Sequence, residues 1–305
     1  MTAVQKKRPA QRSGGGLWSA VKWTIAIGAA GALSGVFLLI FVFAYIYQQL
    51  PSIDVLTDYR PKVPLRVWSA EGRLIGEFGE ERRDFVRIAD VPKHVKDAIL
   101  CAEDDGFYEH HGIELMGIAR AAIVNVLTGR RGQGGSTITM QVARNFFLTT
   151  ERSYTRKLYE IAMSFKIENE LTKDQILEIY MNQIYLGQRA YGFEAAAKTY
   201  FGRPLAEISV GEAATIAGLP VAPSAYNPIV NPTRATMRRN YVLRRMYDLG
   251  RIDELTYQTE KSLPMEVRRA VELNAVKTSE RADSDVVTAH YALSLIHISE
   301  PTRQA

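Results

Sequence analysis

The sequence predicts a mainly α fold with one short β-hairpin, preceded by a single N-terminal transmembrane helix. Three observations support this fold class. No charged residue occurs from Trp23 to Ile53, which is typical of a membrane span. From Pro92 onward, apolar residues recur at helical spacing over most of the chain. Strand and helix patterns do not alternate, so a parallel sheet is not expected.

The transmembrane helix is predicted over residues 23–49. A helix of ~25 residues rises ~1.5 Å per residue and reaches ~37 Å, which exceeds a hydrocarbon core of about 30 Å. The alternative is a cleaved signal peptide, whose apolar region has only about 7–15 residues and ends at small residues. This run is longer and ends in the aromatic stretch 41–47, which suits a membrane interface.

Charge predicts the orientation of this helix. The tail, residues 1–22, has no acidic residue and five basic ones: Lys6, Lys7, Arg8, Arg12 and Lys22. The positive-inside rule therefore keeps this end in the cytoplasm and exports the rest of the chain. These five charges equal the formal net charge of +5, so the remaining 33 basic residues balance the 33 acidic ones. Such a balance argues against a nucleic-acid partner.

A hairpin is predicted after the anchor, from strands at Leu65–Trp68 and Leu74–Phe78 around a turn at 69–72. The clearest helical patterns are Glu114–Leu127, Tyr154–Leu171, Lys173–Tyr185 and Arg234–Leu249. Capping boxes are predicted at Thr172 with Gln175 and at Ser209 with Glu212. The single cysteine, Cys101, excludes an internal disulfide and is expected to be a small buried residue without catalytic function.

Five short motifs occur in a fixed order along the chain. They are EDDGFYEHHG at Glu103–Gly112, GGSTITMQ at Gly134–Gln141, RKLYE at Arg156–Glu160, KDQILEIYMN at Lys173–Asn182 and RRNYVLRRM at Arg238–Met246. Together they resemble the glycosyltransferase domain of the class A penicillin-binding proteins and their monofunctional relatives. The resemblance spans roughly residues 55–250, and the domain is expected over 50–250.

The resemblance implies a lysozyme-like α lobe and a smaller lobe that faces the membrane. It implies an enzyme of the bacterial cytoplasmic membrane that polymerises lipid II into β-1,4-linked glycan strands on the outer, periplasmic face. Undecaprenyl diphosphate would leave with inversion at the anomeric carbon. The expected partners are lipid II, the growing glycan chain, membrane lipid and cell-wall synthesis proteins. A full-length protein of this kind is expected to be bifunctional, with a transpeptidase domain.

The first motif supplies the expected catalytic base. A sugar hydroxyl is a poor nucleophile and needs a carboxylate near it. Glu103 is the candidate, because a helix from Pro92 would end at Gly106 and leave this carboxylate beside a cleft, where burial raises its pKa. The resemblance implies that Asp104 and His110 contact substrate, and that two further positions shape the site. These are Phe107 and Gly112.

The second and third motifs are expected to bind the diphosphate of the donor. A glycine-rich stretch that opens a helix presents backbone N–H groups to an anion. The residues expected to contribute here are Ser136, Thr137, Gln141 and Arg144; Met140 departs from the family's usual Gln. The resemblance adds Arg156 and Lys157 as diphosphate ligands. Glu160 is expected to be a second catalytic carboxylate, which orients these cations or binds a divalent metal, Mg or Mn.

Three further residues are expected to support the site: Glu178, Asn182 and Arg238. A histidine metal site at His110 and His111 is not expected, because the His-Glu-x-x-His pattern is absent. Two other functions stay open. A lysozyme-like hydrolase would also use one glutamate but needs no diphosphate site, and a non-catalytic scaffold needs neither Glu103 nor Lys157.

The C-terminal part of the chain departs from the domain pattern. Residues 251–292 are expected to begin a linker toward a missing transpeptidase domain. The run LSLIHISEPTR at 293–303 is identified as translated sequencing-adapter DNA, so residues 293–305 are expected to be an artefact of a truncated gene record.

Overall fold

A computed structural model describes residues 15–57, 65–68, 74–78, 82–114, 116–117, 120, 124, 127, 135–148 and 154–267. The chain divides into two compact units, Met1–Leu50 and Pro51–Ala305. Most of the predicted basic tail, the later part of the predicted linker and all of residues 293–305 lie outside the described residues. The boundaries predicted for these segments stay predictions.

The first unit contains one long apolar helix, α1, over Gly15–Gln48. Its stretch Val21–Gln48 has 28 residues and a mean hydropathy of 2.5, which is long and apolar enough to cross a membrane. Large side chains along it, such as Phe37 and Phe41, are exposed to the surroundings. The predicted apolar helix is therefore confirmed by its length and composition.

The second unit is mainly helical, which confirms the predicted fold class. Its described helices are α2 (Asp54–Thr57), α3 (Lys93–Glu103), α4 (Ile138–Phe147), α5 (Tyr154–Glu170), α6 (Lys173–Gln183), α7 (Phe193–Phe201), α8 (Val210–Ala217), α9 (Pro232–Asp248) and α10 (Glu254–Ser262). Short 3-10 turns occupy Ile88–Asp90 and Leu205–Glu207. Within the predicted helix Glu114–Leu127, positions 116, 117, 120, 124 and 127 are helical, whereas Glu114 is not.

Two small sheets accompany these helices. Strands β1 (Leu65–Trp68) and β2 (Leu74–Phe78) pair antiparallel, as predicted, with an irregular register between Val67 and Trp68. Strands β3 (Arg82–Arg83) and β4 (Ala190–Tyr191) pair parallel over two residues and were not predicted. This second sheet ties the segment before α3 to the loop before α7.

The core of the second unit lies between two groups of helices. Helix α3 packs against α8 and α9, and α4 packs against α5 and α6. Both capping boxes are present, so α6 begins after Thr172 and α8 after Ser209 as predicted. The largest fully buried side chains include Ile99 of α3, Ile138 of α4, Ile167 of α5 and Tyr180 of α6. These helix packings bring the end of α3 and the start of α4 together.

Candidate active site

Glu103 is the last residue of α3. Asp104 follows as the C-terminal cap, with φ −163° and ψ 80°, and its N–H donates to the Leu100 carbonyl at 2.8 Å. This extended backbone turns the chain away from the helix axis. The chain then forms a turn over residues 105–109. As the sequence predicts, the helix therefore ends at the first motif and leaves Glu103 at its edge.

Glu103 lines a cleft of about 520 Å³ in the second unit. The cleft lies among the end of α3, the start of α4 and one face of α9. Seven of the predicted site residues line it: Glu103, Asp104, Ser136, Thr137, Gln141, Arg144 and Arg238. The other eight lie outside its lining: Phe107, His110, Gly112, Arg156, Lys157, Glu160, Glu178 and Asn182.

The two carboxylate oxygens of Glu103 have different surroundings. Oε2 accepts a hydrogen bond from Nε2 of Gln141 at 2.8 Å. Oε1 is shielded from solvent and has no hydrogen-bond partner among the described residues. Burial raises the pKa of this carboxyl above its ordinary value of 4.5, while the Gln141 hydrogen bond and the charges of Arg238 and Arg144 oppose the rise. A raised pKa makes this carboxylate a better proton acceptor than an exposed glutamate.

Asp104 joins the end of α3 to the start of α4. The residue is 6% exposed, and its carboxylate accepts from His110 Nε2 at 2.9 Å and from the Ile138 N–H, also at 2.9 Å. The second bond satisfies a free N–H in the first turn of α4, where the helix dipole favours a negative charge. Asp104 therefore holds the two helix ends that form the cleft, and His110 fixes its carboxylate.

The rest of the first motif is held in place by contacts with α4 and α5. Thr137 caps α4 by accepting from the Met140 N–H at 3.2 Å, and its hydroxyl donates to the Gly112 carbonyl at 2.6 Å. Gly112 has φ +83°, and a Cβ there would lie 3.1 Å from the Ser164 backbone. Phe107 is fully buried with its ring edge-on to His110. The loop from α3 is thereby fixed against α4 and α5.

A second charged cluster lies on α5 and connects to the cleft through Ser136. Lys157 Nζ donates to Ser136 Oγ at 2.8 Å and to Glu160 Oε2 at 2.9 Å. Arg156 Nε lies 3.3 Å from Glu160 Oε1. Glu160 is only 1% exposed, and a buried charge is costly unless it is paired. The two cations beside it compensate this charge. The arrangement keeps Lys157 directed toward Ser136 at the cleft.

The fit of a divalent metal at Glu160 depends on the available ligands. A metal such as Mg or Mn needs several oxygen ligands. In the described part of the chain, no group of three or more His, Cys, Asp or Glu side chains lies close enough to hold one. Both oxygens of Glu160 already face Arg156 and Lys157. These residues alone supply too few free oxygens to hold a metal. A divalent ion there would also need oxygens of the bound diphosphate or of water, and the predicted metal stays a prediction.

Glu178 and Asn182 hold the segment that precedes α3. Glu178 Oε2 accepts from the Ile88 N–H at 2.7 Å. Asn182 accepts from the Val86 N–H at 2.9 Å and donates to the Val86 carbonyl at 2.8 Å. The two side chains thereby bind backbone groups of Val86 and Ile88, which do not belong to a strand. The supporting role of Glu178 and Asn182 in the site stays a prediction.

Arg238 contributes more to the cleft than the expected structural support. Its Nε donates to the Gly218 carbonyl at 3.3 Å, and its guanidinium lies 4.7 Å from the centre of the Tyr241 ring. These contacts hold its charge at the cleft, where it lowers the pKa of Glu103.

The cleft is also lined by polar and charged side chains that the sequence analysis did not assign to the site: Asp105, Glu114, Arg120, Tyr241 and Arg245. Arg245 Nε donates to the Cys101 carbonyl at 3.2 Å, and its Nη2 lies 3.2 Å from Oδ2 of Asp105. A signal for two of them was present, since Arg238, Tyr241 and Arg245 follow the spacing i, i+3, i+7 and share one helix face.

Comparisons with known proteins identify the family of the chain. A family model described as Transglycosylase matches residues 71–247. Penicillin-binding protein 1A of Pseudomonas aeruginosa is 48% identical over 273 residues, which cover 88% of this chain and 32% of that protein. The protein of the same name from Neisseria flavescens is 53% identical over 221 residues, 72% of this chain and 28% of its own length.

A crystal structure of penicillin-binding protein 1A from Haemophilus influenzae matches 74% of this chain and 25% of that one, with 29% identity and a TM-score of 0.41. The chain spans about a third of the length of the curated relatives it matches. The family model covers more than half of the chain and includes Glu103, the clustered cations and Arg238. The chain therefore belongs to the transglycosylase family.

Proposed function

We propose that residues 50–250 form a peptidoglycan glycosyltransferase that polymerises lipid II into β-1,4-linked glycan strands and releases undecaprenyl diphosphate. The observation that carries the proposal is the position of Glu103. It is a carboxylate with a raised pKa at the edge of a cleft whose other charged groups include several arginines. Membership of the transglycosylase family supports the same reaction class.

In the proposed reaction, Glu103 is the general base. The carboxylate takes the proton of the acceptor sugar's hydroxyl as that oxygen forms a bond to the donor's anomeric carbon. The anomeric bond to the diphosphate breaks, and its electron pair leaves with the diphosphate. Direct displacement of an α-linked diphosphate inverts the anomeric carbon and gives a β bond. The raised pKa makes Glu103 a better proton acceptor than an exposed glutamate would be.

The proposed binding site for the diphosphate is the basic part of the cleft. Negative charge accumulates on the leaving group in the transition state, and fixed cations stabilise it. Arg120, Arg144, Arg238 and Arg245 line the cleft. Lys157 reaches its edge through Ser136 and is held by Glu160. No step of this mechanism requires a metal, although a divalent ion that binds with the diphosphate would add to the same stabilisation.

A glycan hydrolase is the main alternative, since it would use the same glutamate. A hydrolase acts on an uncharged glycosidic bond and gains nothing from cations around its leaving group. The four arginines of the cleft and the Ser136–Lys157 contact therefore favour the transferase.

The membrane arrangement and the complete protein are further parts of the proposal. The apolar stretch Val21–Gln48 would anchor the domain in the bacterial cytoplasmic membrane, with the basic tail in the cytoplasm and the cleft outside. Its relatives are named penicillin-binding proteins and are about three times as long. We propose that the whole protein is bifunctional, with a transpeptidase domain after residue 292, and that it works with other cell-wall synthesis proteins.

The test is incubation of the full chain, in detergent, with fluorescent lipid II. A transferase produces a ladder of glycan strands that a muramidase digests, together with undecaprenyl diphosphate in equal amount to the bonds formed. A parallel incubation with preformed, unlabelled glycan strands detects hydrolysis. Strand shortening without any ladder would assign the hydrolase function and overturn the proposal.

A further inference from the structure

Tyr180 carries a buried hydroxyl that the proposed mechanism does not use. The residue lies on α6, is only 1% exposed, and packs its ring 6.4 Å from that of Phe193. Its hydroxyl has no hydrogen-bond partner among the described residues. A buried hydroxyl without a partner costs free energy, and a phenylalanine of the same shape would avoid that cost. The hydroxyl therefore needs an explanation other than packing.

The surroundings of this hydroxyl point to the cleft. Apart from burial, the groups that change its pKa are Glu103, Arg144 and Asp104, of which Glu103 has the largest effect. All three line the cleft, and α6 packs against α4, which carries Arg144 and the Gln141 that binds Glu103. The Tyr180 hydroxyl therefore lies within the electrostatic surroundings of Glu103, on a helix that packs against α4.

The Oε1 oxygen of Glu103 is buried as well. Glu103 Oε1 is shielded from solvent and, like the Tyr180 hydroxyl, is without a hydrogen-bond partner in the described part of the chain. One atom is an acceptor and the other can donate. Buried waters typically join such pairs, because each water satisfies two or more polar groups at once.

We propose that Tyr180 is a positioning residue for Glu103, and that its hydroxyl holds the free Oε1 oxygen through one buried water. Gln141 holds Oε2 from the α4 side, so the carboxylate would be fixed at both oxygens. The inference rests on the proposed role of Glu103 as the base. A fixed carboxylate keeps the geometry that proton transfer requires through each cycle of polymerisation.

This arrangement also affects the protonation of Glu103. A hydrogen bond donated toward a carboxylate favours its charged form, so loss of the Tyr180 hydroxyl raises the pKa of Glu103. The other charged groups that face Glu103 are Asp104 at the end of α3, Arg144 on α4 and Arg238 on α9. A Tyr180→Phe substitution leaves all three in place. The acidic limb of the pH–rate profile should then move to higher pH.

The experiment compares Tyr180→Phe with Tyr200→Phe in the full chain. Tyr200 is also fully buried, but its hydroxyl donates to the Leu186 carbonyl at 2.7 Å, and Glu103 is not among the groups that act on it. We expect Tyr180→Phe to lower kcat by about tenfold, a small part of the ~10²–10⁴-fold that a positioned base contributes. KM should change less than about twofold. Thermal stability should match that of the wild type near pH 4, where Glu103 is protonated in both the folded and the unfolded state. Tyr200→Phe should instead lose stability and keep its pH profile.

Two outcomes would overturn the inference. One is a Tyr180→Phe variant whose kcat and pH profile match those of the wild type. The other is a loss of activity with lowered thermal stability and an unmoved acidic limb, because that pattern belongs to a packing residue. A fall in kcat with intact stability and a shifted limb upholds the positioning role.

A second measurement separates this inference from the proposed function. Carbon-13 labelling of glutamate side chains, with the Glu103 signal assigned by its loss in Glu103→Gln, reports the pKa of Glu103 without any substrate. If the wild type fails to polymerise lipid II, the proposed function fails, but this titration still tests Tyr180. A higher pKa of Glu103 in Tyr180→Phe supports the contact, and an unchanged pKa refutes it.

Discussion

Nε2 of Gln141 donates to Oε2 of Glu103 at 2.8 Å and so joins the start of α4 to the end of α3. This bond holds the carboxylate at the edge of the cleft, whereas the other oxygen, Oε1, is shielded from solvent and has no partner in the described residues. The cost of burying a charge is thus only partly compensated, which is why the pKa of Glu103 is raised.

The raised pKa predicts that Glu103→Gln stabilises the fold at neutral pH. Below the ordinary value of 4.5, the carboxyl is protonated in both the folded and unfolded states. As pH rises through the higher folded-state pKa, the folded protein must ionise a buried group, and stability is lost. A glutamine is never charged, so the apparent Tm should exceed that of the wild type by about 2–4 °C at pH 7.5 and should match it near pH 4. A variant that is less stable at pH 7.5 would contradict the burial argument.

Gly112 is predicted to tolerate no side chain. Its φ of +83° and the Ser164 backbone both oppose a Cβ. Gly250 provides the control, because it has φ +65° in open space. We expect Gly250→Ala to cost about 1 kcal/mol from backbone strain alone and Gly112→Ala about 3 kcal/mol, since close contact adds about 1–3 kcal/mol. Denaturant unfolding measures both, and equal losses would show that the Ser164 contact has no effect.

Lys157 is predicted to contribute to diphosphate binding. Lys157→Ala removes the ammonium group that Ser136 and Glu160 hold at the edge of the cleft. The affinity for a soluble lipid diphosphate, measured by calorimetry, should fall by about tenfold, since hydrogen bonds to charged groups contribute about 1.5–3 kcal/mol. Lys166→Ala on the same helix is the control, because Lys166 binds the Pro51 carbonyl instead. Equal affinities for the two variants would remove Lys157 from the binding site.

Cys101 is predicted to be unreactive in the folded protein. It is 2% exposed, and burial raises the pKa of its thiol to about 11, although Arg251 opposes the rise. Only the thiolate reacts with maleimides, and it is scarce at pH 8. Labelling at pH 8 should be slow in the native protein and fast in guanidinium chloride. Rapid native labelling would indicate that the α3 region opens.

Local sequence patterns predicted the helices and their boundaries well. Thr172 and Ser209 were identified as helix starts because the capping box is a contact within four residues. The hairpin of Leu65–Trp68 and Leu74–Phe78 was likewise readable from neighbouring residues. Strands β3 and β4 escaped prediction because two-residue strands about a hundred positions apart leave no periodic signal.

The candidate site was predictable only in part. The motifs identified Glu103 and Lys157, but nothing local indicated that Lys157 reaches the cleft through Ser136. The bond from the Ile138 N–H to Asp104 and the approach of Arg245 to Asp105 depend on how α3, α4 and α9 pack. Tyr180 lay within a recognised motif, yet that its hydroxyl has no partner among the described residues depends on the packing around α6.

The most direct test of the central claim is lipid II polymerisation by Glu103→Gln. Glutamine keeps the size of the side chain and can still accept from Gln141, so the variant should fold and bind the donor while losing the base. Glu109→Gln, at an exposed position in the same loop, is the matched control. The account predicts glycan strands from the wild type and Glu109→Gln, and at least a 10²-fold lower rate from Glu103→Gln. Polymerisation by Glu103→Gln at the wild-type rate would contradict it.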